Sequence, residues 1–124
     1  MSEARALDAS CHCGAVRLRV AGLPDIYTIC NCSICRRYAA RWLYFTRSDV
    51  TIDAQQDAIE CYTWGDRMLN FCRCRTCGCM THYEDVERTP GSRVALNGNM
   101  LPPGALDGLR VRNFDGADTF RAIE

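Results

Sequence analysis

Cys74-Arg75-Thr76-Cys77-Gly78 reads as a zinc knuckle. Two thiols separated by two residues grip one metal ion when the backbone turns tightly after the second. Glycine permits that turn, and backbone N–H groups then point at sulfur. Cys11-His12-Cys13-Gly14 ends the same way, with a spacing one residue shorter. Each half supplies two ligands, and together they make a four-cysteine tetrahedron. The halves lie far apart in sequence, so an ion held between them staples the N-terminal strand to the middle of the chain.

Nine of the ten cysteines fall into three clusters: Cys11 and Cys13; Cys30, Cys32 and Cys35; and Cys72, Cys74, Cys77 and Cys79. Soft thiolates select zinc among common metals. Cys30-Asn31-Cys32-Ser33-Ile34-Cys35 offers three thiols, Cys30 from an incoming strand and the others on the first turn of a short helix. A helix N-terminus favours thiolates. Three ligands leave one position for water or substrate, and a thiol bound there loses its proton. The expectation is two zinc ions per chain. Cys11, Cys13, Cys74 and Cys77 hold a structural one, and Cys30, Cys32 and Cys35 hold a second, reactive one.

Cys72 and Cys79 each stand two residues from a knuckle cysteine. Either is an alternative fourth ligand for the second ion, although buried packing thiols are the preferred reading. Cys61, beside Tyr62 and Trp64, reads as core. His12, trapped between two ligands, points away from the metal. His82 reads as a hydrogen-bonded strand histidine, with ligand and proton shuttle as alternatives.

The periodicity elsewhere is two. Val16, Leu18 and Val20 alternate with Arg17 and Arg19, the pattern of a half-buried strand. Further strands are expected at 26–30, 42–46, 50–52, 59–64, 68–73, 79–84, 94–97 and 109–113, with one helix at 33–40. Residues 54–57 read as an exposed hairpin loop, and Pro102-Pro103-Gly104 excludes regular structure. The fold class is mainly β: a zinc-stapled antiparallel β-sandwich or folded sheet with one short helix.

A length of 124 residues fits a single domain, and a hydrophobic content of 48% allows a core. Fifteen basic residues balance fifteen acidic ones, so net charge marks neither a nucleic-acid nor a membrane surface. Seven bound thiolates with two zinc ions bring the balance to about −3. Every basic residue is arginine, which removes Schiff-base and phosphate-loop lysine chemistry. Met1-Ser2-Glu3-Ala4-Arg5 is followed by no apolar run, so no signal peptide or membrane span is expected. A cytoplasmic location follows, where thiols stay reduced and disulfides are the weaker reading. Cys-x-Cys pairs are also poorly placed to bridge each other.

Three segments carry a family resemblance: Ser10-Cys11-His12-Cys13-Gly14-Ala15-Val16, Cys30-Asn31-Cys32-Ser33-Ile34-Cys35-Arg36-Arg37 and Cys74-Arg75-Thr76-Cys77-Gly78. In this order the chain resembles the glutathione-dependent formaldehyde-activating enzyme family, which includes centromere protein V. The resemblance implies a β-rich, zinc-stapled fold with the two ligand sets given above. It also implies carbon–sulfur lyase chemistry, read in reverse as the joining of glutathione and formaldehyde. Arg36, Arg37 or Arg41 could meet the tripeptide's carboxylates, since arginine pairs with them bidentately. The implied partners are a small thiol such as glutathione and a small aldehyde, with no membrane, and nucleic acid is disfavoured.

A non-catalytic two-zinc module that binds protein or nucleic acid is the alternative. It would use Arg36, Arg37, Arg73 and Arg75 as a basic patch, but the arginines are scattered along the chain. A redox enzyme of the methionine-sulfoxide-reductase B type would need a lone reactive cysteine. Only Cys61 is available, without an electropositive neighbour in sequence.

Overall fold

Val16, Leu18 and Val20 are buried while Arg17 and Arg19 are exposed, so the alternation read from sequence becomes strand β2 (Val16–Val20). The structure is a computed structural model and describes residues 7–123. The stretch Met1 to Arg5, read above as free of a leader, lies outside them. No helix among the described residues is long and apolar enough to cross a membrane.

Strand β2 pairs antiparallel with β1 (Leu7–Ser10) on one side and with β5 (Val50–Ala54) on the other. This three-stranded sheet has the order β1-β2-β5. The remaining strands are β3 (Ile26–Cys30), β4 (Trp42–Thr46), β6 (Ile59–Tyr62), β7 (Leu69–Cys74), β8 (Met80–Asp85), β9 (Arg93–Asn97), β10 (Arg110–Phe114) and β11 (Ala122–Ile123). They form an eight-stranded sheet in the order β11-β10-β3-β4-β9-β8-β7-β6. The fold is mainly β, in two open sheets, as expected.

Pairing is mainly antiparallel; the exception is β10, which runs parallel to β3, with Arg110 opposite Ile26 and Phe114 opposite Cys30. Two expectations need correction. Residues 54–57 do not close a hairpin. They carry the chain from β5 in the small sheet to β6 at the edge of the large one, through a 3-10 turn at Gln56–Ala58. The helix is shorter than 33–40: α1 spans Cys35–Tyr38 and ends at Ala39, whose left-handed φ of 52° turns its N–H back to the carbonyls of Cys35 and Arg36.

Trp42 and Leu43 show how the large sheet is covered. Both are fully buried, yet they belong to different parts of the core. Leu43 packs with Leu18, Val20, Leu96 and Leu106, under the small sheet. Trp42 packs with Phe71, Met80, Tyr83 and Ala95 on the other side. Neighbouring residues of a strand point to opposite faces, so the sheet is buried on both. Each large apolar side chain buried in this way contributes roughly 1.5–3 kcal/mol.

Candidate functional site

The four-thiol group lies on the small-sheet face, where Cys11 and Cys74 are part of the core. Ligand atoms of Cys11, Cys13, Cys74 and Cys77 all fall within 4.8 Å of one another. The Cys11–Cys13 and Cys13–Cys74 sulfur distances are 3.8 and 3.6 Å. Zinc–sulfur bonds of about 2.3 Å give a tetrahedral edge of about 3.8 Å, so these two pairs stand close to the spacing zinc requires. Gly14 and Gly78 follow their cysteine pairs with φ of +85° and +81°, a region in which glycine alone is unstrained. The turns aim N–H groups at sulfur: Val16 donates to Cys11 Sγ at 3.3 Å and Cys77 to Cys74 Sγ at 3.4 Å. N–H groups of Cys79 and Cys13 bring the Cys77 thiol down to about 5, so it is ready to act as a thiolate ligand.

The three-thiol group lies on the Trp42 face. Cys30, Cys32 and Cys35 converge within the same 4.8 Å. Cys30 ends β3, and Cys35 opens α1. The Cys35 N–H donates to Cys32 Sγ at 3.4 Å, repeating the Cys77-to-Cys74 bond of the other group. Burial, with the Cys32 and Cys30 sulfurs alongside, pushes the Cys35 thiol up. Crowded thiols resist losing several protons together, and a divalent cation removes that resistance. The Trp42 indole N–H is buried without an oxygen or nitrogen acceptor, and it favours ionised Cys35. A thiolate at Cys35, were a metal ion held there, would supply the partner this donor lacks.

Residues near the C-terminal end complete this side. Asn31 donates to Asp115 Oδ1 and accepts from the Ala117 N–H, both at 3.0 Å. These bonds draw Gly116 onto the thiols, where an added Cβ would lie 2.7 Å from Cys30 Sγ. A cleft of about 820 Å³ opens beside the three sulfurs. Leu69, Phe71, Phe114, Phe120 and the loop Trp64-Gly65-Asp66 form its walls, and Arg93 and Arg112 supply its positive charge. Tyr83 and Tyr44 also line it, with their hydroxyls 3.4 Å apart. Burial pushes both phenols up, so each keeps its proton.

Arg36, Arg37 and Arg41, the sequence candidates for carboxylate binding, do not line the cleft. Arg37 donates to the Ser33 carbonyl, and Arg41 donates to Asn99 Oδ1 while stacking over Tyr27. Sequence reasoning missed Arg93 and Arg112. Their place depends on β9 and β10 flanking β4 and β3, a neighbourhood that local sequence does not display.

Cys72 and Cys79 stand outside the three-thiol group, and among the described residues no protein side chain joins it as a fourth ligand. Cys72 is buried beside His82 and Glu84 instead. His82 stands opposite Leu96, which faces Leu43, so it is buried on the small-sheet face; its Nδ1 lies 2.8 Å from Thr81 Oγ1, and it does not reach the cleft. His12 is exposed and belongs to neither thiol group. Cys61 corrects its expectation: it is exposed, not core, and its sulfur lies 3.2 Å from that of Cys72.

Fold and site together define a mainly β protein built around two thiol groups able to hold metal ions, one of four cysteines and one of three that faces a cleft. The chain belongs to the glutathione-dependent formaldehyde-activating enzyme family, which it matches over residues 6–109. Its structure is similar to that of a Rhodobacter sphaeroides protein at 29% sequence identity and a TM-score of 0.67, covering 85% of this chain and 99% of that one.

Proposed function

We propose that the chain is a zinc-dependent, carbon–sulfur lyase-like protein. It forms or cleaves the adduct of a small thiol and a small aldehyde, namely glutathione and formaldehyde. In this reading Cys11, Cys13, Cys74 and Cys77 hold a structural zinc, and Cys30, Cys32 and Cys35 hold a second, reactive one. The observation that carries the proposal is a three-thiol group without a fourth protein ligand, opening on a cleft with two arginines.

Cys30, Cys32 and Cys35 would hold the zinc, which would supply Lewis acidity that lowers the pKa of a thiol brought to it. The chain's own residues do the rest. Arg93 and Arg112 meet the carboxylates of the tripeptide and orient it. Phe71, Leu69 and Phe114 exclude water from the reacting atoms. Sulfur adds to the aldehyde carbon, and the proton leaving sulfur ends on the former carbonyl oxygen. The Tyr83 hydroxyl donates to Tyr44, leaving the Tyr44 proton free to meet that oxygen as its charge develops. Cleavage is the same path reversed.

The arginines do not support the non-catalytic binding module. Arg73 and Arg75 both pair with Glu60, at 3.1 and 3.0 Å, and Arg37 folds back onto the Ser33 carbonyl in the turn before its helix. Little unpaired positive charge is left at the patch that module requires. We place the protein in the cytoplasm, where glutathione is abundant and thiols are reduced.

Cobalt substitution tests the proposal. Glutathione at millimolar concentration is expected to change the sulfur-to-cobalt absorption of wild-type protein, and to leave that of Cys35→Ser unaltered. An unchanged wild-type spectrum would sink the glutathione reading.

A further inference from the structure

Cys61 and Cys72 are register partners across β6 and β7. Directly opposed residues of an antiparallel pair have Cα atoms about 4.5–5.5 Å apart, inside the range of about 4.4–6.8 Å that disulfides span. Their sulfurs lie 3.2 Å apart, closer than the 3.6 and 3.8 Å pairs of the four-thiol group. That spacing is short for two ligands of one zinc, whose tetrahedral edge is about 3.8 Å. It exceeds a disulfide bond by only about 1 Å, a gap that side-chain rotation closes. The pair is also asymmetric. β6 is the edge strand of the large sheet and exposes Cys61, whereas Cys72 is 1% exposed.

The surroundings of Cys72 do not favour a metal. Its neighbour Glu84 is already ion-paired with Arg47 and Arg88, and His82 Nδ1 faces Thr81. A dication there would sit beside two guanidinium groups.

We propose that Cys61 and Cys72 form a reversible redox pair, with Cys61 as the site of exchange with small-molecule disulfides and Cys72 as the resolving thiol. The Cys61 thiolate attacks one sulfur of a disulfide R–S–S–R, forming a mixed disulfide and releasing one R–S⁻. Cys72 Sγ then attacks Cys61 Sγ, the second R–S⁻ leaves, and the thiol protons of both cysteines pass to the released thiolates. The protein dithiol has lost two electrons and two protons, and the small disulfide has become two thiols. Excess thiol drives the reverse. The bridge closes the β6–β7 hairpin, whose loop carries Trp64, Gly65 and Asp66 to the cleft wall. The inference stands independently of the lyase reading.

The test uses the full chain as purified, with its bound metal quantified, equilibrated with oxidised glutathione. Peptide mapping is expected to show one Cys61–Cys72 cross-link, with unchanged metal content and reversal by reduced glutathione. Cys72→Ser is expected to stop at a glutathionyl group on Cys61, and Cys61→Ser to take up none. Should Cys72→Ser not fold, alkylating Cys61 in the native wild type serves instead, and must abolish the cross-link. Three results overturn the proposal: Cys61 alkylated equally fast before and after oxidation, a bridge mapped to the other clusters with loss of metal, or a third zinc per chain that disappears in Cys61→Ser.

Discussion

The two thiol groups share a local device and differ in their company. In each, a cysteine N–H three residues on donates to the earlier sulfur, Cys77 to Cys74 and Cys35 to Cys32, both at 3.4 Å. On the small-sheet face that segment meets both Cys11 and Cys13, giving four thiols of which Cys11 and Cys74 are buried in the core. On the Trp42 face one such segment meets only Cys30, and the remaining direction opens to a cleft. One backbone motif thus stands in a group of four thiols or a group of three, according to how many partners the sheet delivers; in the proposed function the first is a staple and the second a working site. A complete set of protein ligands favours stability, and a missing ligand leaves room for chemistry.

The largest test of that contrast is to remove one thiol from each side. Cys77→Ser is expected to lose cooperative folding, because structural zinc contributes about 10–16 kcal/mol in zinc-finger peptides, against a total stability of about 5–15 kcal/mol. Cys35→Ser is expected to keep its fold and give up one metal ion. Circular dichroism with metal analysis on both variants reads the difference. If both unfold alike, the division of labour is wrong.

Next comes the sheet between the two groups. Leu43→Ala is expected to cost about 2–5 kcal/mol in urea unfolding, because Leu43 is fully buried under the small sheet. Glutathione affinity should survive at temperatures where the variant is folded, since the cleft lies on the other face.

The faces also titrate differently. Burial lowers His82 to about 4; Glu84 opposes the shift, while Arg47 and Arg88 add to it. Its folded value lies below the unfolded value of about 6.5, so the unfolded chain binds the extra proton. Stability is then fully present above pH 6.5 and falls as pH drops toward 4, by on the order of 3 kcal/mol. Urea midpoints of wild type and His82→Gln, taken over that window with metal retention checked, should diverge in slope. Parallel slopes would remove the histidine from the account.

The smallest expected effect is confined to the cleft. Arg93→Ala and Arg112→Ala should each weaken glutathione binding about 10- to 100-fold, the worth of one charged hydrogen bond. Thermal midpoints should move little. Arg41→Ala, outside the cleft, is the control; equal losses from all three would mean the arginines act only through general charge.

How much of this was legible in the sequence depends on range. β2 was readable because Arg17 and Arg19 interrupt its apolar residues one for one. The four-thiol and three-thiol groups were readable because their spacings are local, and the structure brings together the same seven cysteines. Cys61 was misjudged because β6 is an edge strand, so an apolar stretch there need not be buried. Residues 54–57 were misjudged because a turn signal does not say which sheet receives the next strand. Arg112 and Gly116 were invisible because the parallel β3–β10 pairing places them, and nothing local announces a parallel partner; Arg93 was invisible because β9 reaches β4 from far along the chain.

That parallel pairing has a kinetic consequence. The Asn31–Asp115 contact closes a separation of 84 residues, whereas β1 and β2 meet through a short turn. Long closures cost more chain entropy and form slowly. Pulse-labelled hydrogen exchange during refolding should therefore protect the amides of β2 before those of β10. The thiols beside Gly116 would gain their roof last, and for that interval the nascent centre is open to whatever thiol or oxidant is in solution.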